Sequence, residues 1–484
     1  MSERHVVVLG GGITGLTVAY RLLELSEKQG TAMRCTVCEQ DNRLGGKIWT
    51  HRGGEGTIEL GPDSIYTRKR GGVDLLRELK LDPDIVPVNS GSHTYVLHRG
   101  RLKRLPPGMN LGIPTDLTAM AKTPLLSSLG KVRALADLVL PRAGAGEDLS
   151  VGQFLRYRLG DELVDVIAAP LLAGIHAGDI DRLSLDATMP LLRTLSERHR
   201  SLIVGAMAQR KRRPQQAPQQ VPPQPLFVTL RGGLEALVDH LARRLDGFAE
   251  LRLRTRATEI NHRLDQGYEI TIQSEGQAEV LKADAVVVTT PAFAAAEVLA
   301  PLDLDLQSLR SIRYASTATA SLVYAGNVLP PGMTASGFVV PPTEKRILTA
   351  CTIVSNKWPH AVRTGDTVIR CYVGRDGDEA GVHLDDEQMG EAVRRDLREV
   401  FKIEAVPESV LITRWMDAMP QYDVGHLERI KEIDRQLARY PGLALAGAAY
   451  RGMGIPDCIV DAGRAAERVT DYLSSRGGLE SLAD

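Results

Sequence analysis

Two hydrophobic patterns alternate along the first forty residues of the chain. Residues 6–9 are Val-Val-Val-Leu, a wholly apolar run typical of a central parallel strand. After a glycine-rich turn, apolar residues recur at helical spacing, at Leu16, Ala19, Leu22 and Leu23. Residues 34–39 form a second strand-like run. This order of strand, helix and strand predicts the start of a doubly wound nucleotide-binding domain.

Two later segments complete the same predicted domain. Past residue 226, a helical stripe of leucine and valine precedes strand-like runs at 250–258, 268–273 and 285–289. Near the C-terminus, an apolar strand at 443–446 precedes a helical stretch. We therefore predict a discontinuous, Rossmann-like domain made of residues 1–52, 226–292 and 437–484.

The intervening chain is predicted to form two further regions. From about His93 to Arg213 the pattern is mostly helical, with Ser150 and Ser184 as helix caps. This helical insertion, 93–225, ends in a basic run and a Gln/Pro-rich loop at 209–225. A solvated linker is the favoured interpretation of that loop over contact with phospholipid or a partner. Residues 53–92 and 293–436 are predicted to form a mixed-sheet substrate domain of short strands and turns, which makes the fold class α/β.

Composition and charge argue against several classes of function. Lys and Arg number 59 against 60 Asp and Glu, and aromatic residues make up 4% of the 484 residues. These values do not favour a nucleic-acid binder or a protein drawn to membranes by charge. Five scattered cysteines favour a reducing compartment, so a cytoplasmic protein is expected. No apolar run reaches ~18 residues and the N-terminus enters the first strand directly, so we expect no signal peptide and at most peripheral membrane contact.

The turn after the first strand consists of Gly10, Gly11, Gly12, Ile13, Thr14 and Gly15. Glycines at this spacing permit a tight turn, close approach of the backbone to a pyrophosphate, and packing of helix on strand. The following helix offers unpaired N–H groups to the phosphates. Glu39, at the end of the second strand, is placed to accept hydrogen bonds from ribose hydroxyls. We interpret the motif as a dinucleotide site rather than as a turn that only joins strand to helix.

The next residues indicate which dinucleotide is bound. Arg43-Leu44-Gly45-Gly46-Lys47 provides a second glycine step and a basic side chain for the same pyrophosphate, which favours FAD over a nicotinamide nucleotide. Gly454, Ile455 and Pro456 precede the C-terminal helix, with Pro456 predicted as its first residue. That helix N-terminus would stabilise the negative charge of a reduced flavin, although an ordinary loop is the alternative. Because no second glycine fingerprint is found, oxygen is the simplest electron acceptor and we expect an oxidase.

Two other chemistries are not expected. Cys35 and Cys38 lie on the predicted second strand, where side chains three residues apart point to opposite faces, beyond disulfide reach. The histidines have no zinc spacing, and we predict no metal site. His176, in a Gly-Ile-His-Ala-Gly turn, is interpreted as structural.

More specific strings extend along nearly the whole chain: Gly61-Pro62-Asp63-Ser64, Arg68-Lys69, Pro170-Leu171-Leu172, Gly178-Asp179-Ile180-Asp181, Met419-Pro420-Gln421-Tyr422 and Gly454-Ile455-Pro456-Asp457. With them, the sequence resembles the porphyrinogen oxidases of haem biosynthesis, FAD proteins of the amine-oxidase-like superfamily. The resemblance is greatest to the coproporphyrin-forming branch of Gram-positive bacteria. It implies oxidation of coproporphyrinogen III to coproporphyrin III, with three oxygen molecules becoming hydrogen peroxide, and hand-over of the product to a ferrochelatase.

The resemblance also implies site residues. FAD would be held by residues 10–15, Glu39, Gln40, Gly46, Lys47, Gly61, Pro62, Asp63, Ser64, Ala257, Trp415, Gly454, Ile455 and Pro456. Lys69 would pair with a substrate propionate, a solvated surface charge being the other interpretation, and Ile175 would form a wall of the substrate pocket. The chain departs from the family pattern at Ile65 and at His176, where aromatic residues are usual.

Other functions stay open at this point. A protoporphyrinogen IX oxidase fits the same strings, and a flavin amine oxidase or a carotenoid desaturase shares the nucleotide strings. Outside the enzymes, the fold also serves proteins that chaperone prenylated GTPases and lack a working flavin site. The intact Glu39 and Gly46 disfavour that last alternative.

Overall fold

The computed structural model describes residues 3–480 except 90, 92, 111, 142–145, 213–224 and 265. The strands are β1 (Arg4–Leu9), β2 (Met33–Cys38), β3 (Thr50–Gly53), β4 (Gly56–Glu59), β5 (Ile65–Tyr66), β6 (Ile85–Pro87), β7 (His93–His98), β8 (Arg101–Arg104), β9 (Met109–Asn110), β10 (Ile113–Pro114), β11 (Phe227–Leu230), β12 (Ala249–Arg252), β13 (Thr255–Arg263), β14 (Gly267–Ser274), β15 (Gln277–Ala283), β16 (Ala285–Val288), β17 (Tyr314–Tyr324), β18 (Ala335–Val339), β19 (Leu348–Ile353), β20 (Thr367–Val373), β21 (Ser409–Pro420) and β22 (Leu443–Leu445).

The α-helices are α1 (Ile13–Gln29), α2 (Arg70–Glu78), α3 (Leu117–Lys122), α4 (Ser128–Leu135), α5 (Val151–Leu159), α6 (Asp161–Leu163), α7 (Ala169–His176), α8 (Leu185–Thr188), α9 (Pro190–Arg198), α10 (Leu202–Arg212), α11 (Glu235–Arg244), α12 (Ala292–Val298), α13 (Gln307–Arg310), α14 (Val354–Lys357), α15 (Asp386–Phe401), α16 (His426–Leu437) and α17 (Ile455–Glu480). Short 3₁₀ helices span Asp82–Asp84, Ala136–Leu138, Pro342–Glu344, Pro359–Ala361 and Ala380–His383, and a π-helix spans Val164–Ala168.

A parallel sheet in the order β12-β2-β1-β16-β22 organises the two ends of the chain. Alternate residues of its strands enter two cores, one on each face. Val6 and Val8 share a core with residues of α1 and α17. Val7 and Leu9 pack on the other face with residues of α12 and α16. The predicted strand-helix-strand unit, its discontinuity and the α/β class are confirmed.

The same alternation separates the first two cysteines. Cys35 and Cys38 both lie on β2, Cys35 in one core and Cys38 in the other. Both are free thiols whose pKa is raised by burial. The prediction that they do not pair is confirmed.

A mixed sheet in the order β21-β17-β20-β19-β18-β7-β8 forms the second layer of the molecule. β18 and β7 run parallel, and its other neighbours are antiparallel. The stripe of Met389, Val393 and Leu397 on α15 enters the core of this sheet. The prediction of short strands and turns over 293–436 is wrong here, because β17 and β21 have 11 and 12 residues and α15 has 16.

Residues 93–104 were predicted as helical and instead form β7 and β8. β7 pairs in register with β18, with Tyr95 opposite Phe338, and its Val96 and Leu97 are fully buried. A partner more than two hundred residues away therefore decided this segment against its local pattern.

Three smaller predictions are also corrected. The strand predicted over 250–258 is two strands, β12 and β13, because the chain turns at Arg254 with a left-handed φ of 51°. α17 begins at Ile455, so Pro456 is its second residue. α10 continues to residue 212, into the start of the predicted Gln/Pro loop, and residues 213–224 of that loop lie outside the described part.

The helices from α3 to α10 enclose a separate apolar core. Arg158 and Asp137 are both fully buried within this helical part, and their side chains form an ion pair at 2.5 Å. Among the helices of the described chain, none is long and apolar enough to cross a membrane. The sheet β5-β11-β6 joins strands assigned to two predicted domains, and the domain boundaries stay predictions.

Candidate flavin site

The glycine turn leaves open space at Gly12 and close contacts at Gly10, Gly11 and Gly15. Gly10 has a φ of 108°, in the left-handed region. A Cβ on Gly15 would lie 1.9 Å from the Gly10 carbonyl oxygen, whereas the nearest atom to a Cβ on Gly12 would be 3.9 Å away. The N-terminus of α1 has no side-chain cap and no acidic residue in its first turn. Its amide groups can therefore meet an anion in front of Gly12.

Glu39 lies directly after β2 and is buried behind this turn, with an exposed fraction of 7%. Its Oε2 accepts a hydrogen bond from the Gly11 amide at 2.6 Å, and its Oε1 accepts one from the Asp41 amide at 2.9 Å. Burial raises the pKa of Glu39, while these two hydrogen bonds oppose the rise. Each oxygen has a lone pair left, so the carboxyl can receive two hydroxyl groups.

The second glycine step lies against the first. The Gly45 amide donates to the Gly11 carbonyl at 2.9 Å, and a Cβ on Gly46 would lie 3.2 Å from the Gly12 Cα. Arg43 donates to three carbonyls of this step, those of Leu44, Gly46 and Ile48. Arg43 is thus committed to holding the backbone of the step.

Lys47, by contrast, makes no hydrogen bond or ion pair with any described residue. Burial lowers its pKa, and the Cys458 side chain opposes this shift. Of the two basic residues in the step, Lys47 is the one whose ammonium group is available to a phosphate.

The N-terminus of α17 approaches the same region from the other end of the chain. Asp457, in its first turn, accepts a hydrogen bond from the Gly454 amide at 3.3 Å. The Asp457 carboxylate also accepts from the Lys69 ammonium at 2.6 Å. Lys69 is the residue before α2, so this ion pair connects two helix N-termini.

The predicted substrate residues Lys69 and Ile175 are both about half exposed, at 54% and 50%. Lys69 is paired with Asp457 and is therefore not an isolated surface charge. Ile175 lies in the last turn of α7, next to His176. Burial and the nearby charge of Lys69 lower the pKa of His176 to about 4, so its imidazole is neutral at pH 7.

The Gly61 string follows β4 and is held by a charge cluster. The Lys357 ammonium lies 2.7 and 3.0 Å from the two carboxylate oxygens of Asp63, and Ser64 Oγ donates to Asp63 at 2.7 Å. Burial alone would raise the pKa of Asp63, but the positive charges of Lys357 and Arg370 hold it at about 2. Asp63 is thus ionised and fully engaged with protein groups.

The remaining predicted contacts surround these pieces. The indole N–H of Trp415 donates to the Leu60 carbonyl at 2.9 Å. Ala257 lies on β13 at a bulge, two residues after Thr255, whose amide donates to the Glu39 carbonyl at 2.8 Å. The Gln40 side chain points to solvent. Pro62 lies between Gly61 and Asp63, on the segment that Trp415 and Lys357 hold.

Sequence reasoning missed the partners of these residues. Asp457 belongs to a string that was noted, but its pairing with Lys69 spans 388 positions and has no local signature. Lys357 and Arg370 lie in none of the motifs from which site residues were predicted. For Arg370 a signal existed, because a charged residue interrupts the apolar run Val368-Ile369-Arg370-Cys371, and arginine is almost never buried without partners.

The residues fit a flavin dinucleotide. An open space lies before Gly12, an uncapped helix N-terminus faces it, and Lys47 is a cation with no hydrogen-bond or ion-pair partner in the described part of the chain. These features, on a doubly wound sheet closed by both chain ends, define a flavoprotein oxidoreductase.

Comparisons with known proteins agree with this class. Residues 13–470 match the family described as flavin containing amine oxidoreductase, and the chain belongs to that family. It is 39% identical over 475 residues to the coproporphyrinogen III oxidase of Bacillus subtilis (strain 168), covering 98% of each chain. It is 34% identical over 471 residues to the coproporphyrinogen III oxidase of Staphylococcus aureus, covering 96% of this chain and 99% of that one.

A solved structure is similar over the same length. A protein of Exiguobacterium sp. 255-15, assigned as a protoporphyrinogen oxidase, superposes with a TM-score of 0.85 at 35% identity. The match covers 98% of this chain and 100% of that one. UDP-galactopyranose mutase shares the fold, with a TM-score of 0.72 at 16% identity.

Proposed function

We propose that this protein binds FAD and oxidises coproporphyrinogen III to coproporphyrin III with oxygen, releasing hydrogen peroxide. The observation that carries the proposal is the 39% identity, over 98% of both chains, to a coproporphyrinogen III oxidase. The glycine turn at residues 10–15, Glu39 and the glycine step at residues 43–47 form an intact dinucleotide cradle, which argues against a flavin-less chaperone of prenylated GTPases.

In this proposal each part of the cradle has a role. Glu39 receives the ribose hydroxyls, with Gln40 and Ala257 beside the adenosine. Gly12, Gly46 and Lys47 meet the pyrophosphate, because the α1 N-terminus points there without a cap. The segment Gly61–Ser64, Trp415 and the α17 N-terminus, with Gly454, Ile455 and Pro456, surround the flavin ring.

Each of three two-electron steps removes a hydride from a methylene carbon and a proton. Two of the three protons come from pyrrole nitrogens and the third from the fourth methylene carbon, so that four CH bridges and two N–H groups remain. When bound, FAD would supply the acceptor for the hydride and pass the electrons on to oxygen. The protein needs no strong general base, because the carbon cation left behind is delocalised over two pyrroles and its N–H becomes acidic. What the chain supplies is orientation of the substrate and exclusion of stray oxidation.

Lys69 is proposed to orient one of the four substrate propionates. Its side chain is about half exposed and its ammonium is already held by Asp457 at 2.6 Å, so a second carboxylate can share the ammonium without moving the chain. His176 is neutral and adds no charge to this group. Ile175 offers an apolar side chain for the pocket wall.

The experiment is a steady-state assay of the purified protein with coproporphyrinogen III and protoporphyrinogen IX. We expect porphyrin fluorescence and peroxide to rise together, with a higher kcat/KM for coproporphyrinogen and no effect of NADH or NADPH. Flavin reduction by a nicotinamide nucleotide would contradict the oxidase assignment.

The second candidate is a protoporphyrinogen IX oxidase, favoured by the assignment of the Exiguobacterium structure. It replaces the first if kcat/KM is higher for protoporphyrinogen. In either case a ferrochelatase would consume the porphyrin. Five free cysteines support a location in the reducing cytoplasm.

The predicted domains fit this function. Residues 1–52, 226–292 and 437–484 would bind FAD, residues 53–92 and 293–436 would cover the substrate, and residues 93–225 would enclose the far side of the pocket. The β7–β8 hairpin, within 93–225, would serve the substrate sheet.

A further inference from the structure

Three adjacent strands of the mixed sheet each send one donor to the Leu60–Gly61 peptide. Thr319 of β17 donates its hydroxyl to the Leu60 carbonyl at 3.2 Å, and Trp415 of β21 donates its indole N–H to the same oxygen at 2.9 Å. Arg370 of β20 donates an Nη2 hydrogen to the Gly61 carbonyl. Three neighbouring strands of the mixed sheet, β21, β17 and β20, therefore hold this peptide in place.

On its other side the same peptide abuts the glycine step. A Cβ on Gly61 would lie 1.8 Å from the Lys47 carbonyl oxygen, so the two segments are in direct backbone contact. A shift of the Leu60–Gly61 peptide would therefore move the Lys47 backbone, which lies between the proposed pyrophosphate and flavin contacts.

Arg370 is incompletely bonded for so buried a charge. It is 3% exposed, and its Nε and Nη1 have no hydrogen-bond partner among the described residues. Trp358 is also 3% exposed, and its indole Nε1 likewise has no partner in the described part of the chain. Buried N–H groups are rarely left unpaired, so these three donor atoms require an acceptor that the described residues do not provide.

Both residues line the same cavity of about 20 Å³, together with the carboxyl residues Glu59 and Asp63. A cavity needs only ~10–15 Å³ and two to four polar partners to hold a water molecule. Arginine and tryptophan offer donors, and the Glu59 carboxyl group offers an acceptor, so a water has partners for both its oxygen and its hydrogens.

An anion fits these surroundings less well than water. Asp63 is ionised beside Lys357, and Glu59 accepts hydrogen bonds from the Leu234 amide at 2.6 Å and the Thr50 hydroxyl at 2.8 Å. An anion placed among these carboxyl groups would add negative charge to a buried site.

We propose that this cavity holds a buried water that accepts hydrogen bonds from Arg370 and Trp358 and donates to Glu59. The water fixes Arg370, and Arg370 is the positioning residue that holds the Leu60–Gly61 peptide against the flavin. The part that concerns flavin rests on the proposed function. The water itself depends only on the residues around the cavity.

The experiment compares wild-type holoprotein with Arg370→Met, Arg370→Lys and Trp358→Phe. The readouts are the Kd for FAD rebinding to the stripped protein, the flavin reduction potential, and the thermal midpoint of the apoprotein. We expect Arg370→Met to weaken FAD binding roughly tenfold or more, as for one lost charge-assisted hydrogen bond. Arg370→Lys should recover part of the loss, and Trp358→Phe should cost about two- to tenfold.

Arg158→Met is the matched control. Arg158 is a fully buried arginine that also holds carbonyl groups, but in the helical part of the chain. It should lower the thermal midpoint and leave the FAD Kd and the potential unchanged. If Arg370→Met does not fold, Arg370→Lys and Trp358→Phe carry the test.

A high-resolution crystal structure, with a bromide-soaked duplicate, tests the cavity directly. We expect one water peak within hydrogen-bond distance of Arg370 Nη1 and Trp358 Nε1. An empty cavity, or a bromide peak in it, would overturn the water. Wild-type FAD affinity and potential in all three variants would overturn the positioning role. A wild-type protein that binds FAD but oxidises no porphyrinogen would count against the proposed function alone.

Discussion

The glycine cradle and the charge cluster beneath the Gly61 string serve the same site by opposite means. The cradle offers unpaired backbone amides at the uncapped N-terminus of α1, and Gly12, which has no side chain, leaves space for the ligand. The cluster uses charged side chains from distant segments, such as Asp63, Lys357 and Arg370. The glycine cradle can bind a ligand without lowering the stability of the fold. The buried charges of the cluster, by contrast, destabilise the fold unless each of them has its partner.

The largest expected effect is the removal of one charge from the cluster. Lys357→Met leaves the Asp63 carboxylate buried without its ion-pair partner, and we expect a loss of roughly 3–5 kcal/mol in the free energy of unfolding at pH 7. Urea denaturation of the apoprotein measures it. The double variant Asp63→Asn with Lys357→Met should recover much of the loss. A single variant within about 0.5 kcal/mol of wild type would show that the pair contributes nothing.

A smaller effect concerns the pH dependence of the cluster. Burial raises the pKa of Glu59 from its ordinary value of 4.5 to about 7. A glutamate whose pKa is raised on folding contributes stability that is present below the unfolded pKa and is lost as the pH rises through 7. Glu59→Gln removes this dependence. From pH 5 to pH 8, the free energy of unfolding of the wild-type protein should therefore fall by roughly 2–3 kcal/mol more than that of Glu59→Gln.

Denaturation curves of both proteins at the two pH values check this prediction. Glu235→Gln is a control, since Glu235 is a neighbouring carboxylate paired with the half-exposed side chain of Arg52. A parallel change for wild type and Glu59→Gln would mean that Glu59 does not titrate in this range.

A side chain added at Gly12 of the cradle should weaken ligand binding and leave folding unchanged. Gly12 has an extended backbone (φ −71°, ψ −179°) that any residue can adopt, and its Cβ direction is open. Gly12→Val should therefore fold, yet lose FAD affinity by roughly 10- to 100-fold, about 1.4–2.8 kcal/mol, through overpacking against the pyrophosphate.

The FAD-to-protein ratio and the apoprotein thermal midpoint separate the two effects. Gly232→Val, at an exposed glycine with no atom near its Cβ direction, is the control and should change neither. Stoichiometric flavin in Gly12→Val would refute the assignment of the turn to the pyrophosphate.

The smallest effect is expected at Lys69. Because Asp457 already shares its charge, Lys69→Ala should lower kcat/KM for coproporphyrinogen III by about 1.5 kcal/mol, the lower end for a charge-assisted hydrogen bond. The flavin spectrum should not change, and Lys69→Arg should recover part of the loss. Equal losses with protoporphyrinogen would mean that Lys69 contacts a propionate common to both substrates. Unchanged kinetics for both variants would leave Lys69 as a partner of Asp457 alone.

Short-range features were predictable from the sequence. The β1–α1–β2 unit, the glycine turn and Glu39 lie within forty residues, and each has a periodicity or a spacing that physical chemistry ties to one structure. Even the separation of Cys35 from Cys38 followed from the alternation of a strand.

The tertiary structure decided what depends on distant partners. The segment 93–104 became a hairpin because β18 was available to pair with it. Lys69 meets Asp457 across 388 positions, Asp63 meets Lys357 across 294, and Arg370 meets Gly61 across 309. A charged side chain has no local pattern that identifies its partner. Its energy depends on burial and on the charges that folding brings within a few ångströms, and these exist only once the chain is folded.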